Sequence, residues 1–264
     1  MVLITLFSSL LSIYPWNLTT STYLTQGEYS NGNTSISKSG YISMDRRGKD
    51  GFIIGYRDLL VKTENGDYRQ FNWMARDIFW IKPSIRLAGI AGHIETNNKD
   101  YAWISGVQIE GDLPWFGYSH SYIRSDYQNY QFTNEYSYNK EWVKNEVEQI
   151  DFHLSKKFKY FTTRIGLIRQ QIESINYYIT QLSISGKIKK KLSYSLLFSQ
   201  GENKYAIDPY LLIINNNPEI LTQSMSIKGS YKINPNLYIS GVWTIQSYEN
   251  FEVDYLSIGI TGRF

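Results

Sequence analysis

Bulky and small polar residues alternate with a period of two along most of the chain. Residues 251–264 read FEVDYLSIGITGRF. In an extended strand Leu256, Ile258, Ile260 and Phe264 fall on one face, with Tyr255, Ser257, Thr261 and Arg263 on the other. Just upstream, Leu237, Ile239, Trp243 and Ile245 alternate with Tyr238, Ser240, Thr244 and Gln246. Leu221, Met225, Ile227 and Tyr231 oppose Thr222, Ser224, Ser226, Lys228 and Ser230 in the same way. Leu192, Tyr194, Leu196 and Phe198 oppose Ser193, Ser195 and Ser199. A soluble sandwich needs bulk on its inner face and charge on its outer one. Here the polar face is mostly small hydroxyls, which suits a wall that lines water while the bulky face meets lipid.

Segments of this kind cover 16–27, 35–46, 51–63, 67–80, 84–95, 100–110, 115–126, 145–156, 160–171, 175–186, 191–200, 220–231, 236–247 and 251–264. Most run about 10–14 residues, near what a tilted strand needs to cross the hydrocarbon layer, whereas soluble strands average about five or six. The pattern predicts an all-β chain, a single closed antiparallel up-and-down transmembrane barrel of about fourteen strands over 15–264. Helical periodicity is scarce, and the best helical candidate is the short charged piece 141–148.

The connections sort by side. Counting back from Phe264, the turns at 46–51, 81–84, 111–114, 157–159, 187–190 and 233–236 fall on one end, predicted to be periplasmic. All are short, and Pro83, Pro114 and Pro235 preset turn backbone in three of them. The two longest connections, 127–144 and 201–219, both fall on the other end, predicted to be extracellular. Residues 1–13, MVLITLFSSLLSI, are apolar over the length of a secretion signal, although no basic residue precedes them. Residues 1–14 are therefore read as a signal peptide or its remnant.

Composition narrows the class. Aromatic residues make up 16%, with 23 tyrosines, charged residues only 19%, and the mean hydropathy is −0.36. No run of about 20 apolar residues is present to form a membrane helix. A chain polar on average yet rich in Tyr and Trp is what alternation between lipid and water produces; a tyrosine-rich soluble sandwich is the alternative. The net charge of +3 does not suggest nucleic acid, and the absence of cysteine excludes disulfides and thiolate metal sites. Trp73, Phe79 and Trp80, Tyr101 and Trp103, Trp115, Phe116 and Tyr118, and Tyr160 with Phe161 cluster near segment ends, as in an aromatic girdle.

Parity also sets the lumen. If Ile150, Phe152 and Leu154 face lipid, Asp151 and His153 face inward, and Arg76, Arg86, Arg164, Lys228 and, less directly, Arg57 do likewise. Inward cations bias passage toward anions; equally, they can brace the wall through ion pairs with Asp151 or Glu110. His93, His120 and His153 are scattered, with His120 of the wrong parity for the lumen. No nucleophile–base motif, metal-ligand spacing or phosphate loop is present, so neither an enzyme nor a metal or other cofactor is expected.

The terminal run YLSIGITGRF resembles the C-terminal signal of bacterial outer-membrane β-barrel proteins, with Tyr255, Leu256, Ile258, Ile260 and Phe264 at the matching positions. The resemblance implies recognition by the barrel assembly machinery and residence in the outer-membrane lipid. Strand count and size resemble the fourteen-stranded porins. The expected function is a porin-like channel for passive diffusion of small polar solutes or ions. The alternative is a non-transporting barrel, an anchor or a subunit of a surface or secretion complex, with inward tyrosines such as Tyr23, Tyr41, Tyr177 and Tyr255 plugging the lumen.

Overall fold

The computed structural model describes residues 16–46, 50–64, 66–132, 140–189, 191–205, 207–208, 213–214 and 219–264. Its elements are β1 (Asn17–Tyr29), β2 (Thr34–Arg46), β3 (Asp50–Thr63), β4 (Gly66–Lys82), β5 (Ile85–Thr96), β6 (Tyr101–Asp112), β7 (Gly117–Phe132) and β8 (Lys140–Lys157). They continue with β9 (Phe161–Ile172), β10 (Ile175–Ile188), β11 (Leu192–Asn203), the two-residue strands β12 (Ile207–Asp208) and β13 (Ile213–Ile214), then β14 (Leu221–Asn234), β15 (Leu237–Tyr248) and β16 (Glu252–Arg263). All but β12 and β13 form one closed antiparallel barrel of fourteen strands, each paired with its neighbours in the chain. β12 and β13 pair only with each other, in the connection between β11 and β14. Residues 1–14, the expected signal segment, lie outside the described residues.

Closure is made by the chain ends. β1 pairs with β16 from Thr19 opposite Arg263 to Tyr29 opposite Val253. Beyond that ladder, Phe264 N–H donates to Leu18 O at 2.8 Å and Leu18 N–H to Phe264 O at 3.1 Å. The two strands that would otherwise be edges thus satisfy each other.

The side chains divide as the alternation requires. Leu24, Ile36, Ile42, Ile54, Leu87, Val107, Phe152, Leu154, Ile165, Leu167, Leu182, Leu196, Phe198, Met225, Ile239, Trp243, Leu256, Ile258 and Ile260 are exposed on the outside. This belt is what a barrel presents to acyl chains. At the end carrying the short turns, Phe79, Trp115, Phe116, Tyr160 and Phe161 are exposed, and Trp103 is exposed toward the other end. Above the belt, on the loop side, charges return to the outer surface. Arg69 pairs with Asp58 at 2.7 Å, and Arg124 with Glu146 at 2.8 Å.

Three features depart from the sequence reading, and a fourth is unexpected on a lipid-facing surface. The best helical candidate, 141–148, and much of the expected loop at 127–144 are strand, because β7 and β8 continue as a ladder to Phe132 opposite Lys140. Charge there disguises the period: outward Glu146 and Glu148 alternate with inward Val147 and Gln149. Trp80, placed in the outer girdle, lies instead beneath the lumen-facing Arg86, whose guanidinium carbon is 5.1 Å from its ring centroid. Leu221 is buried with Tyr248 and Val253 rather than facing out, because the register slips between Leu221 and Gln223. Asp77 interrupts the outer face, exposed opposite Phe52 and Gly89, and nothing in its surroundings explains it.

Ile258 and Ser257 are neighbours on β16 that face opposite ways. Ile258→Arg should lose about 2–4 kcal/mol of unfolding free energy in lipid vesicles, as for a cation at the bilayer midplane. Ser257→Arg, turned into a wet interior, should lose much less. Equal losses in urea titrations would contradict the assignment of the faces.

Candidate functional site

The interior of the barrel has two unlike walls. One runs through β14, β15, β16, β1 and β2 and is built of hydroxyls. Directly opposed inward residues bond across the strands: Ser21 with Thr261 at 2.9 Å, Thr25 with Ser257 at 2.7 Å, Ser226 with Thr244 at 2.9 Å and Ser230 with Ser240 at 2.6 Å. Ser35, Ser37 and Ser39 continue this wall along β2.

The facing wall, on β4 to β8, is apolar in its loop-end half. Met74, Ile90, Ile94, Ala102, Ile104, Ile123, Tyr127 and Val147 form one buried cluster inside the barrel, with Tyr41 and Ile53 packed against it. The sequence reading of a hydroxyl-lined lumen missed this wall. On β5 the outward partners of Ile90 and Ile94 are Gly89, Ala91 and His93, so the contrast between faces that marks other strands is faint here.

A segment of the connection between β11 and β14 folds into the barrel against this wall. Tyr205 and Ile207 join the cluster, and the Tyr205 ring lies 4.5 Å from that of Tyr127. Two glutamines hold the segment. Gln149 Nε2 donates to Ile207 O at 2.7 Å, and Ile207 N–H donates to Gln149 Oε1 at 3.2 Å. Lys204 N–H donates to Gln170 Oε1 at 2.9 Å. A carboxamide carries the same donor and acceptor as a peptide, so Gln149 receives Ile207 as an adjacent strand would. Its amide also donates to Asp151 Oδ1 at 3.0 Å, and Ser121 Oγ donates to Asp151 Oδ2 at 2.9 Å. Asp151, 1% exposed, therefore serves the wall and the clasp rather than an open passage.

The turn-end half of the same wall is ionic. Arg76 pairs with Glu110; Arg86 pairs with Glu110 at 3.2 Å and Asp112 at 3.4 Å. Arg164 donates to Ser119 Oγ at 3.3 Å, and His153 Nε2 meets Gln181 Oε1 at 3.2 Å. A cavity of about 180 Å³ opens among Arg86, Glu110, Asp112, Ser119, His153 and Arg164. Of the inward ionisable residues expected from sequence, Arg76, Arg86, Asp151, His153 and Arg164 thus gather on β4 to β9. Arg57 and Lys228 stand apart, beside the hydroxyl wall. Lys228 Nζ is 5.7 Å from the centroid of the Tyr23 ring, and neither cation forms an ion pair among the described residues. His93 and His120 face outward.

The inward tyrosines do not all reach across the lumen. Tyr23 is paired with Gly259 and Tyr255 with Gly27. A Cβ on Gly259 would lie 2.2 Å from the Tyr23 ring, and one on Gly27 2.7 Å from the Tyr255 ring. Each ring packs on a glycine of the next strand. Tyr177 is buried in the loop-end half, and Tyr41 stands edge-on to Tyr23 at 6.0 Å. Of the terminal residues, Leu256, Ile258, Ile260 and Phe264 face out, and Tyr255 faces in.

No protein-family model matches the chain, and neither does any curated protein sequence. Solved structures do match in fold. The monoaromatic hydrocarbon channel CymD superposes with a TM-score of 0.60 at 9% identity, over 95% of this chain and 89% of that one. The Pseudomonas putida toluene transporter TodX gives 0.56 at 10% identity, over 96% and 92%. The Ralstonia pickettii toluene transporter TbuX gives 0.59 at 8% identity, over 95% and 89%. At such identities the likeness is one of fold. Together with the outward apolar belt, that fold places the chain in the bacterial outer membrane as a closed fourteen-strand barrel.

Proposed function

We propose that the barrel is a passive outer-membrane channel for small solutes that carry an apolar part. The observation that supports it most is the inward cluster from Met74 to Val147, apolar side chains turned to the interior of a barrel whose other wall is hydroxyl. A pore for ions alone does not need so large an inward apolar surface, since lumen positions tolerate polar residues. The sequence-based expectation of purely polar solutes gives way to this reading. Structures of similar fold bear the names of hydrocarbon and toluene channels, which agrees with it. An apolar molecule entering from the loop end meets the clasp first, because Tyr205 and Ile207 already occupy the apolar wall. Passage therefore requires that segment to leave.

The same clasp gives the second reading its support: a segment seated in the lumen by Gln149 and Gln170 suits a barrel that transports nothing.

In planar bilayers the purified protein should conduct, and toluene or a similar small aromatic should reduce the current. Bilayers that stay sealed under every voltage would favour the anchoring role. Gln149→Leu removes both bonds to Ile207 and should raise the open fraction severalfold; an unchanged current would show that the segment does not gate. Gly259→Val should drive the Tyr23 ring off the wall and lower the conductance of each open channel, with the protein still folded by its heat-dependent shift on gels.

A further inference from the structure

The inward charges are not equivalent. On the β4–β9 wall every cation named above has a carboxylate or hydroxyl partner, and Asp151 is sealed under Ser121 and Gln149. Arg57 and Lys228 are different. Both are half-buried, both stand near the middle of their strands, and neither meets an acid among the described residues. Arg57 lies between Ser39 on β2 and Asn72 on β4, and Lys228 between Ser195 on β11 and Val242 on β15. An ionised side chain in a confined, partly desolvated space without a counter-charge raises the local potential and draws anions.

One of them also sits next to apolar surface. Lys228 stands over Tyr23, Tyr23 touches Tyr41 edge-on, and Tyr41 packs on the cluster of Met74, Ile94 and Ile104. Charge and apolar wall are therefore continuous through two rings. A ligand that used both would carry an anionic group at one end and an apolar body at the other. Resting on the channel reading above, we infer that Arg57 and Lys228 are the specificity-determining residues of this lumen, and that it selects small organic anions with an apolar body, such as aromatic carboxylates. The carboxylate meets Lys228 while the ring lies along Tyr23 and Tyr41 toward the apolar wall, and Arg57 on β3 adds to the positive potential of the same lumen.

The test is ion selectivity in planar bilayers under a potassium chloride gradient, with benzoate as the probe. The wild-type protein should favour chloride over potassium, and millimolar benzoate should reduce the current more than neutral benzyl alcohol does. In Arg57→Gln/Lys228→Gln the chloride preference should fall severalfold toward none, and benzoate should act no better than benzyl alcohol. Because neither side chain gives up an ion pair, the double variant should fold; the single variants and the charge-preserving Arg57→Lys, which should keep its selectivity, check this. Lys38→Gln, on the outer surface, should change nothing. A conducting barrel without anion preference, or one whose preference survives the double substitution, overturns this inference and leaves the channel standing. No current even with Gln149→Leu overturns both.

Discussion

A strand in lipid has no water to satisfy its backbone, so each N–H and C=O of the sheet needs a partner in the sheet. The pairing of β1 with β16 meets that requirement, and the rest of the molecule follows from it. Once the sheet is closed, every strand has one face outside and one inside, and the period of two becomes a division between lipid and lumen. The small hydroxyls of β14 to β2 and the bulky side chains between them are two sides of one constraint. Fourteen strands enclose more room than side chains alone fill, in contrast to the packed interior of eight-stranded barrels.

How that room is used is a matter of side-chain detail. Glycines opposite Tyr23 and Tyr255 let those two rings lie along the wall. Tyr205 and Ile207 are brought into the lumen by the segment that Gln149 and Gln170 hold. Neutral amides suit that task. They can release a peptide to water at little net cost, because each bond lost is replaced by one to solvent. The ionic pairs of Arg76, Arg86, Glu110 and Asp112 lie away from the clasp and brace the turn-end half of the wall.

Most of the architecture was legible in the alternation. The fourteen segments coincide with the fourteen barrel strands, and the short turns lie together at one end, because hydroxyl against bulk is a local signal repeated strand after strand. The inward direction of Arg57, Arg76, Arg86, Asp151, His153, Arg164 and Lys228 follows from the same parity. The sequence is silent where contrast between faces fades, as at Ile90 and Ile94 beside Gly89 and Ala91, or where charge stands on the outer face, as at Glu146 and Glu148. It is silent too on contacts that join distant parts of the chain. Nothing local to Tyr205 and Ile207 marks them as destined for Gln149, and nothing local to Arg57 marks it as lacking an acid when Arg76 has one.

The hairpin of β7 and β8 runs on beyond the strands on either side of it. Beyond Gln128, where β6 has ended, β7 pairs with β8 alone, and β8 before Val147 has no partner in β9. A two-stranded ribbon therefore extends past its neighbours, its outer main-chain margins without a ladder partner among the described residues. Such margins are where a foreign strand can add itself by main-chain pairing. Lys144 and Glu146 stand on that ribbon, and their mixed charge discourages indiscriminate addition while leaving a complementary sequence admissible.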